Sequence, residues 1–154
     1  MEWSPPRRRL VAVVLAGLVP WTVLFIGDEL SVIFTFGVFN SNPPELTPIS
    51  VFFFSDATRG LPRFIESWGI GVALYLVGLA SAIGGVVWQE DQRITAAALT
   101  FAGLSQLWVA GGFGRRLGYT ALPVGTIVLL AVVWWHYWPA VRASLTPGAG
   151  RPEE

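Results

Sequence analysis

Asp28, Glu29, Glu45, Asp56 and Glu66 are five carboxylates gathered between positions 28 and 66 of a chain otherwise poor in charge. Two carboxylates held close together can share a divalent cation or divide the work of acid and base. With Arg59 and Arg63 among them, the set Asp28, Glu29, Arg59, Arg63 and Glu66 would suit a lipid headgroup or another small charged molecule. The competing reading is that these are solvated charges marking where the chain leaves a membrane. Nucleophilic chemistry has less to work with. Ser41, Ser50 and Ser55 share the region, but the single histidine, His136, lies among Trp134, Trp135, Tyr137 and Trp138 and reads as part of an interfacial aromatic belt. The chain has no cysteine, so it offers no thiolate nucleophile, disulfide or thiolate metal site. "GRRLG" is a turn between helices rather than a phosphate cradle. These observations predict a non-catalytic protein with no cofactor and no bound metal.

The other polar concentration is "FGVFNSNPPELTPIS", residues 36–50, where Asn40 and Asn42 sit among three prolines. Turn chemistry explains both asparagines. Their variety of hydrogen-bonding groups also makes this stretch the candidate for recognising a partner.

The elements that would position these residues follow from where charge is missing. Apolar residues make up 53% of the 154 and charged ones 13%, about half the share of an ordinary soluble domain. Charge-free stretches cover residues 10–27, 67–89, 94–114 and 117–141. Each approaches the ~20 residues that a helix needs to cross a bilayer. The expectation is an all-α membrane protein forming one domain over residues 1–154. Its four transmembrane helices would span 10–27, 62–88, 94–113 and 120–138, with an outer loop at 28–61 and a disordered tail at 144–154. "LSVIFTFGVF" alternates apolar and small or polar residues and "PISVFFFS" is β-rich, so the loop is read as a short β-hairpin. The alternative is that the first helix continues to about residue 39. The basic N-terminus with its apolar run could also be a signal peptide, but no small-x-small cleavage site follows, and a retained helix kinked at Pro20 is preferred.

With both termini cytoplasmic, Arg7, Arg8, Arg9, Arg93, Arg142 and Arg151 lie inside, while Arg59, Arg63, Arg115 and Arg116 lie outside. The arginine triplet abutting the first helix sets that orientation in a plasma membrane. No charge falls within the four cores, which argues against ion-coupled transport. Gln106 is expected to bond across to another helix, and Trp68 to sit in the aromatic belt. Small residues four apart, Gly78 with Ala82 and Ala98 with Ala102, let helices approach closely, within the chain or in a homodimer. The formal net charge is zero, so nothing points to nucleic acid. Membrane lipid and a membrane protein partner are the expected contacts.

The segments "FTFGVFNSNP", "TRGLP", "SWGIGVALYLVGLASAIGG", "EDQRITAAALTFAGLSQLW" and "LPVG" resemble a haloarchaeal family of small integral membrane proteins of unknown function, over about residues 18–138. Its most specific parts are Gly37–Asn40–Asn42–Pro43, Gly60–Leu61–Pro62 and Glu90–Asp91–Arg93. Genes of that family lie near the archaeosortase, the membrane transpeptidase that processes surface proteins. The resemblance therefore implies an accessory role beside cell-surface protein processing. The chain lacks the catalytic cysteine of a sortase-like enzyme.

Overall fold

In the computed structural model the described residues are 3–56 and 60–146. The chain opens with helix α1 (Pro5–Leu18), which begins with proline in its first turn, where a missing N–H costs nothing. It stops well short of residue 27. Val19 precedes Pro20 and is pushed to an extended backbone, ψ 155°. The apolar run then continues not as helix but as β1 (Thr22–Ile26), β-branched and aromatic, which pairs with β2 (Glu29–Ile33). Gly27 and Asp28 form the two-residue turn between them, and Gly27 adopts φ +59° at its first position, where glycine is favoured. Two further strands, β3 (Gly37–Ser41) and β4 (Pro44–Pro48), extend the meander.

The expectation of an all-α protein with four membrane helices and a short hairpin is therefore wrong. A five-stranded antiparallel sheet, ordered β4-β3-β2-β1-β5, replaces the end of the first helix and most of the outer loop. Its fifth strand is β5 (Tyr119–Leu122), within what the sequence suggested was a turn and the start of the last helix. The prolines of 44–48 form a strand because β4 lies at the sheet edge, where a missing N–H is tolerated. The aromatic run read as a hairpin arm is instead the short helix α2 (Ile49–Phe54). A helical turn presents both Phe52 and Phe53 to Trp68, with ring centroids 5.5 and 5.7 Å away. A strand would send these adjacent side chains to opposite faces.

Among the described residues three helices are long and apolar enough to cross a membrane: α3 (Arg63–Val87), α4 (Gln92–Gly114) and the continuous segment Val124–Leu145. The last comprises α5 (Val124–Val132), a π-helical turn (Val133–Tyr137) and α6 (Trp138–Leu145). It runs past residue 138, so the part of the expected tail that is described, 144–146, largely continues the helix; residues 147–154 lie outside the described residues. The helices α3 and α4 pack through the small residues singled out above. A β-carbon on Gly78 would stand 3.0 Å from Leu99, and Ala82, Ala98 and Ala102 are buried. That stripe serves packing within the chain.

α1 covers only half the length of this bundle, and its C-terminal end lies in the interior. The carbonyls that a helix end leaves unpaired must find partners there. Trp21 Nε1 donates to Ala16 at 2.9 Å, Thr35 Oγ1 to Gly17 at 2.8 Å, and the Val19 N–H to Leu15 at 3.2 Å. One turn earlier, the Tyr75 hydroxyl donates to Val13 at 2.9 Å. Beyond that point the sheet takes over the place of α1 beside α3 and α4.

The opposite end is held by charge. Arg9 Nη1 donates to Glu90 Oε2 at 2.9 Å, with the Glu90 side chain 4% exposed. Glu90 Oε1 accepts from Thr95 at 3.1 Å, and Thr95 also reaches Ser81 at 2.7 Å. With its amide oxygen turned inward, Gln92 accepts from Arg9 at 2.8 Å. The guanidinium lies 5.9 Å over the ring of Tyr137, which the widened π turn brings into the core. Beside it Trp134, Trp135 and Trp138 are exposed, and His136 is half-buried.

Candidate binding site

A cavity of about 280 Å³ lies between the inner face of the sheet and helices α2, α3 and α4. Strand alternation builds one wall. Leu24 and Ile26 of β1, Ser31 and Ile33 of β2, and Val38 and Asn40 of β3 all point inward, in the registers Leu24↔Ser31, Ser31↔Asn40 and Ile33↔Val38. The other wall is Phe52, Ile65, Trp68, Val109 and Phe113. Trp68 is 1% exposed, and its indole N–H donates to the Phe34 carbonyl at 2.9 Å, fixing the ring against the β2–β3 connection. It is a wall of the cavity and part of the core, not a belt residue.

Four polar side chains face this apolar volume. Ser31 Oγ donates to Asn40 Oδ1 at 2.7 Å, across a strand pair. The Asn40 amide N–H groups donate to none of the described residues. Arg116, just after α4, is exposed and makes no ion pair with any described residue. Its guanidinium lies 5.3 Å over Phe64 and 6.0 Å over Tyr119, whose own ring stacks on Phe113. A hydroxyl, an amide, a phenol and a guanidinium bordering apolar walls can hold an anionic or strongly polar head while the walls take an apolar body. The volume falls just below the range of drug-sized sites, about 300–1,000 Å³, so the ligand must be small or enter by one chain.

The residues singled out from the sequence are mostly dispersed. Asn40 lines the cavity. Asn42 lies in the exposed turn between β3 and β4. Asp28 and Glu29 are exposed at the β1–β2 turn. Arg63, the first residue of α3, borders a separate groove with Trp108 and Arg115. Glu66 borders an open hollow beside α2. Arg59 lies outside the described residues. The carboxylates do not converge: among the described residues no group of three His, Cys, Asp or Glu is placed to hold a metal ion. Gln106 is fully buried, but its polar partner belongs to the sheet: it accepts from Thr22 of β1 at 3.4 Å and donates to Ser105 of its own helix at 3.1 Å.

Ser31, Trp68, Arg116 and Tyr119 were not among the candidates. Unbroken alternation over 30–38 would put Ser31 and Val38 on opposite faces; the β2–β3 connection resets the parity, so both face the cavity, and only strand pairing sets Ser31 opposite Asn40. Arg116 and Tyr119 belong to a segment that a span-by-span reading assigns to a connecting turn.

Comparison with proteins of curated function finds no match. A family model matches residues 2–146, strands and helices alike, and on that match the chain belongs to the family described as a domain of unknown function, DUF8050.

Proposed function

We propose that this protein is a non-catalytic multi-pass membrane protein that binds a small anionic amphipathic molecule in the cavity between its sheet and its helices. The observation that carries this reading is the apolar cavity bordered by Arg116, Tyr119 and the Ser31–Asn40 pair. A carboxylate or phosphate head would pair with Arg116 and accept from Asn40, and an apolar chain would lie along Trp68 and Phe113. The arginine distribution supports a plasma membrane with the sheet on the outer side and both termini in the cytoplasm.

Titration of the purified protein in neutral-lipid nanodiscs with dodecyl phosphate, followed by native mass spectrometry, tests this. Arg116→Gln should weaken binding about tenfold, the ~1.4 kcal/mol of one charge-assisted hydrogen bond. Ile65→Trp, which fills the cavity, should abolish it. Equal binding by the Ile65→Trp variant would remove the cavity from the explanation.

A second reading rests on the polar end of the sheet, where Asp28, Glu29, Asn42 and Glu45 are all exposed. Such an end suits a membrane protein partner. The resemblance to a haloarchaeal family encoded beside the archaeosortase supports an accessory role in cell-surface protein processing. Affinity purification from native membranes should recover a processing enzyme or its substrate with the unaltered chain and less of it with Asn42→Ala. Recovery of this chain alone would count against the role.

A further inference from the structure

The outer face of the sheet is as apolar as its inner one. In register across all five strands run Leu122, Val23, Val32, Phe39 and Leu46, the side chains opposite in parity to those that line the cavity. Phe39, Leu46 and Leu122 are 37%, 51% and 48% exposed, with no charge in the row. No element of the chain covers this face among the described residues.

Polarity along the strands is graded. One step from this row toward the end where α1 stops lie Phe34, Gly37 and Pro48, with exposed Phe36 beside them. One step the other way the row becomes mixed, with Thr120, Phe25 and Ser41. Beyond it the turns carry Asp28, Glu29 and Asn42. The apolar end therefore points to the middle of the bundle and the charged end away from it. The β4 edge has fewer donors to lose in an apolar medium than an ordinary edge strand. Ile49 N–H bonds inward to Phe36 O, so residues of the same parity in β4 bond to β3, while residues 44, 46 and 48 face the open edge. Two of those three are prolines, so Leu46 supplies the one N–H on this edge, while the carbonyls of 44, 46 and 48 still point outward and must be met by headgroups or water near the charged end.

We propose that the sheet stands in the outer leaflet of the bilayer, its Val23–Val32–Phe39–Leu46 face against lipid acyl chains and its Asp28–Glu29–Asn42 end in the headgroup region. α1 would then cross only the inner leaflet, and the meander would complete the crossing. Acyl chains are favoured over a second copy by area. A five-stranded sheet of five-residue strands presents roughly 24 by 16 Å, or ~400 Å², about half of what each partner of a standard interface buries.

Because the chain contains no cysteine, single-cysteine variants carry one spin label each. The experiment compares Phe39→Cys and Leu46→Cys with Glu29→Cys and Asn42→Cys in bilayers, measuring relaxation by oxygen and by a water-soluble nickel chelate. Leu76→Cys, exposed on α3, reports separately whether the helices are embedded. The expected result is an oxygen-to-nickel ratio at 39 and 46 at least tenfold above that at 29 and 42, approaching that at 76. If the label at 76 is lipid-exposed but those at 39 and 46 relax with the nickel chelate like those at 29 and 42, the sheet lies in water and the proposal fails. Dipolar broadening between labels at 39 with oxygen excluded would also overturn it, because a second copy would then cover the face. Water-like relaxation at 76 as well would overturn membrane embedding altogether.

Discussion

Trp21→Ala is expected to be the most destabilising single substitution in the chain, lowering unfolding free energy by about 3–5 kcal/mol. Trp21 is fully buried at the junction of α1 and β1, edge-on to Tyr75 with ring centroids 5.5 Å apart. Its removal empties the centre of the core formed with Val13, Leu99 and Leu129. Part of that loss is the Ala16 carbonyl left without its donor inside the bundle, about 1–3 kcal/mol if no water replaces it. Refilling is restricted. Gly125 packs so closely that a β-carbon there would lie 2.9 Å from the Trp21 Cα, and Gly125 N–H already donates to the Trp21 carbonyl at 2.7 Å. Trp21→Phe keeps most of the volume but loses the N–H and part of the second ring, so it should cost about 1–3 kcal/mol. Thermal unfolding in a mild detergent, read by near-ultraviolet circular dichroism, separates the two. Equal loss from both would mean that the Ala16 bond, and not the packing, carries the effect.

Breaking the Arg9–Glu90 pair should rank next. Glu90 is nearly buried and Arg9 largely so, and removing one partner of such a pair leaves an uncompensated charge, typically a loss of 3–5 kcal/mol. Glu90→Ala is expected at about 3 kcal/mol, because the arginine retains Gln92 and the Tyr137 ring. It also releases Thr95 from one of its contacts. The double variant Arg9→Met/Glu90→Met should recover most of the loss, since no charge is left unpaired. Proteolysis at the N-terminus should follow the same order, fastest in Glu90→Ala, because this pair fastens α1 to the α3–α4 turn. If the double variant is as unstable as the single, the pair contributes attraction rather than merely avoiding a stranded charge.

Local signals account for what was legible beforehand. The bounds of α3 and α4 fall within a residue or two of the expected ones, because long apolar runs lie between Pro62, the "QEDQR" turn and "GRRLG". The first helix failed for a readable reason. Hydropathy treats Trp21–Ile26 as continuing the run, yet Pro20, the β-branched and aromatic "WTVLFI", and Gly27–Asp28 followed by "ELSVI" are together a strand–turn–strand signature. The polar residues between 28 and 66 looked like one site because they are close in sequence. In the fold, strand ends part them, so that Asn40 faces the cavity from within β3 while Asn42, just past its end, lies in an exposed turn.

By itself the sequence determined the apolar spans, the proline that ends α1, and the arginine asymmetry between the ends, all of which act through a residue and its immediate neighbours. Tertiary structure alone decided that α1 could stop halfway along the bundle. Its terminal carbonyls are paired because Tyr75 arrives from α3, Thr35 from the β2–β3 connection, and Trp21 folds back from the link into β1. It also decided that Ser31, Asn40, Trp68, Arg116 and Tyr119 enclose one cavity. Hydrogen bonds between strands, and between a helix end and distant side chains, join groups whose spacing along the chain carries no period to read.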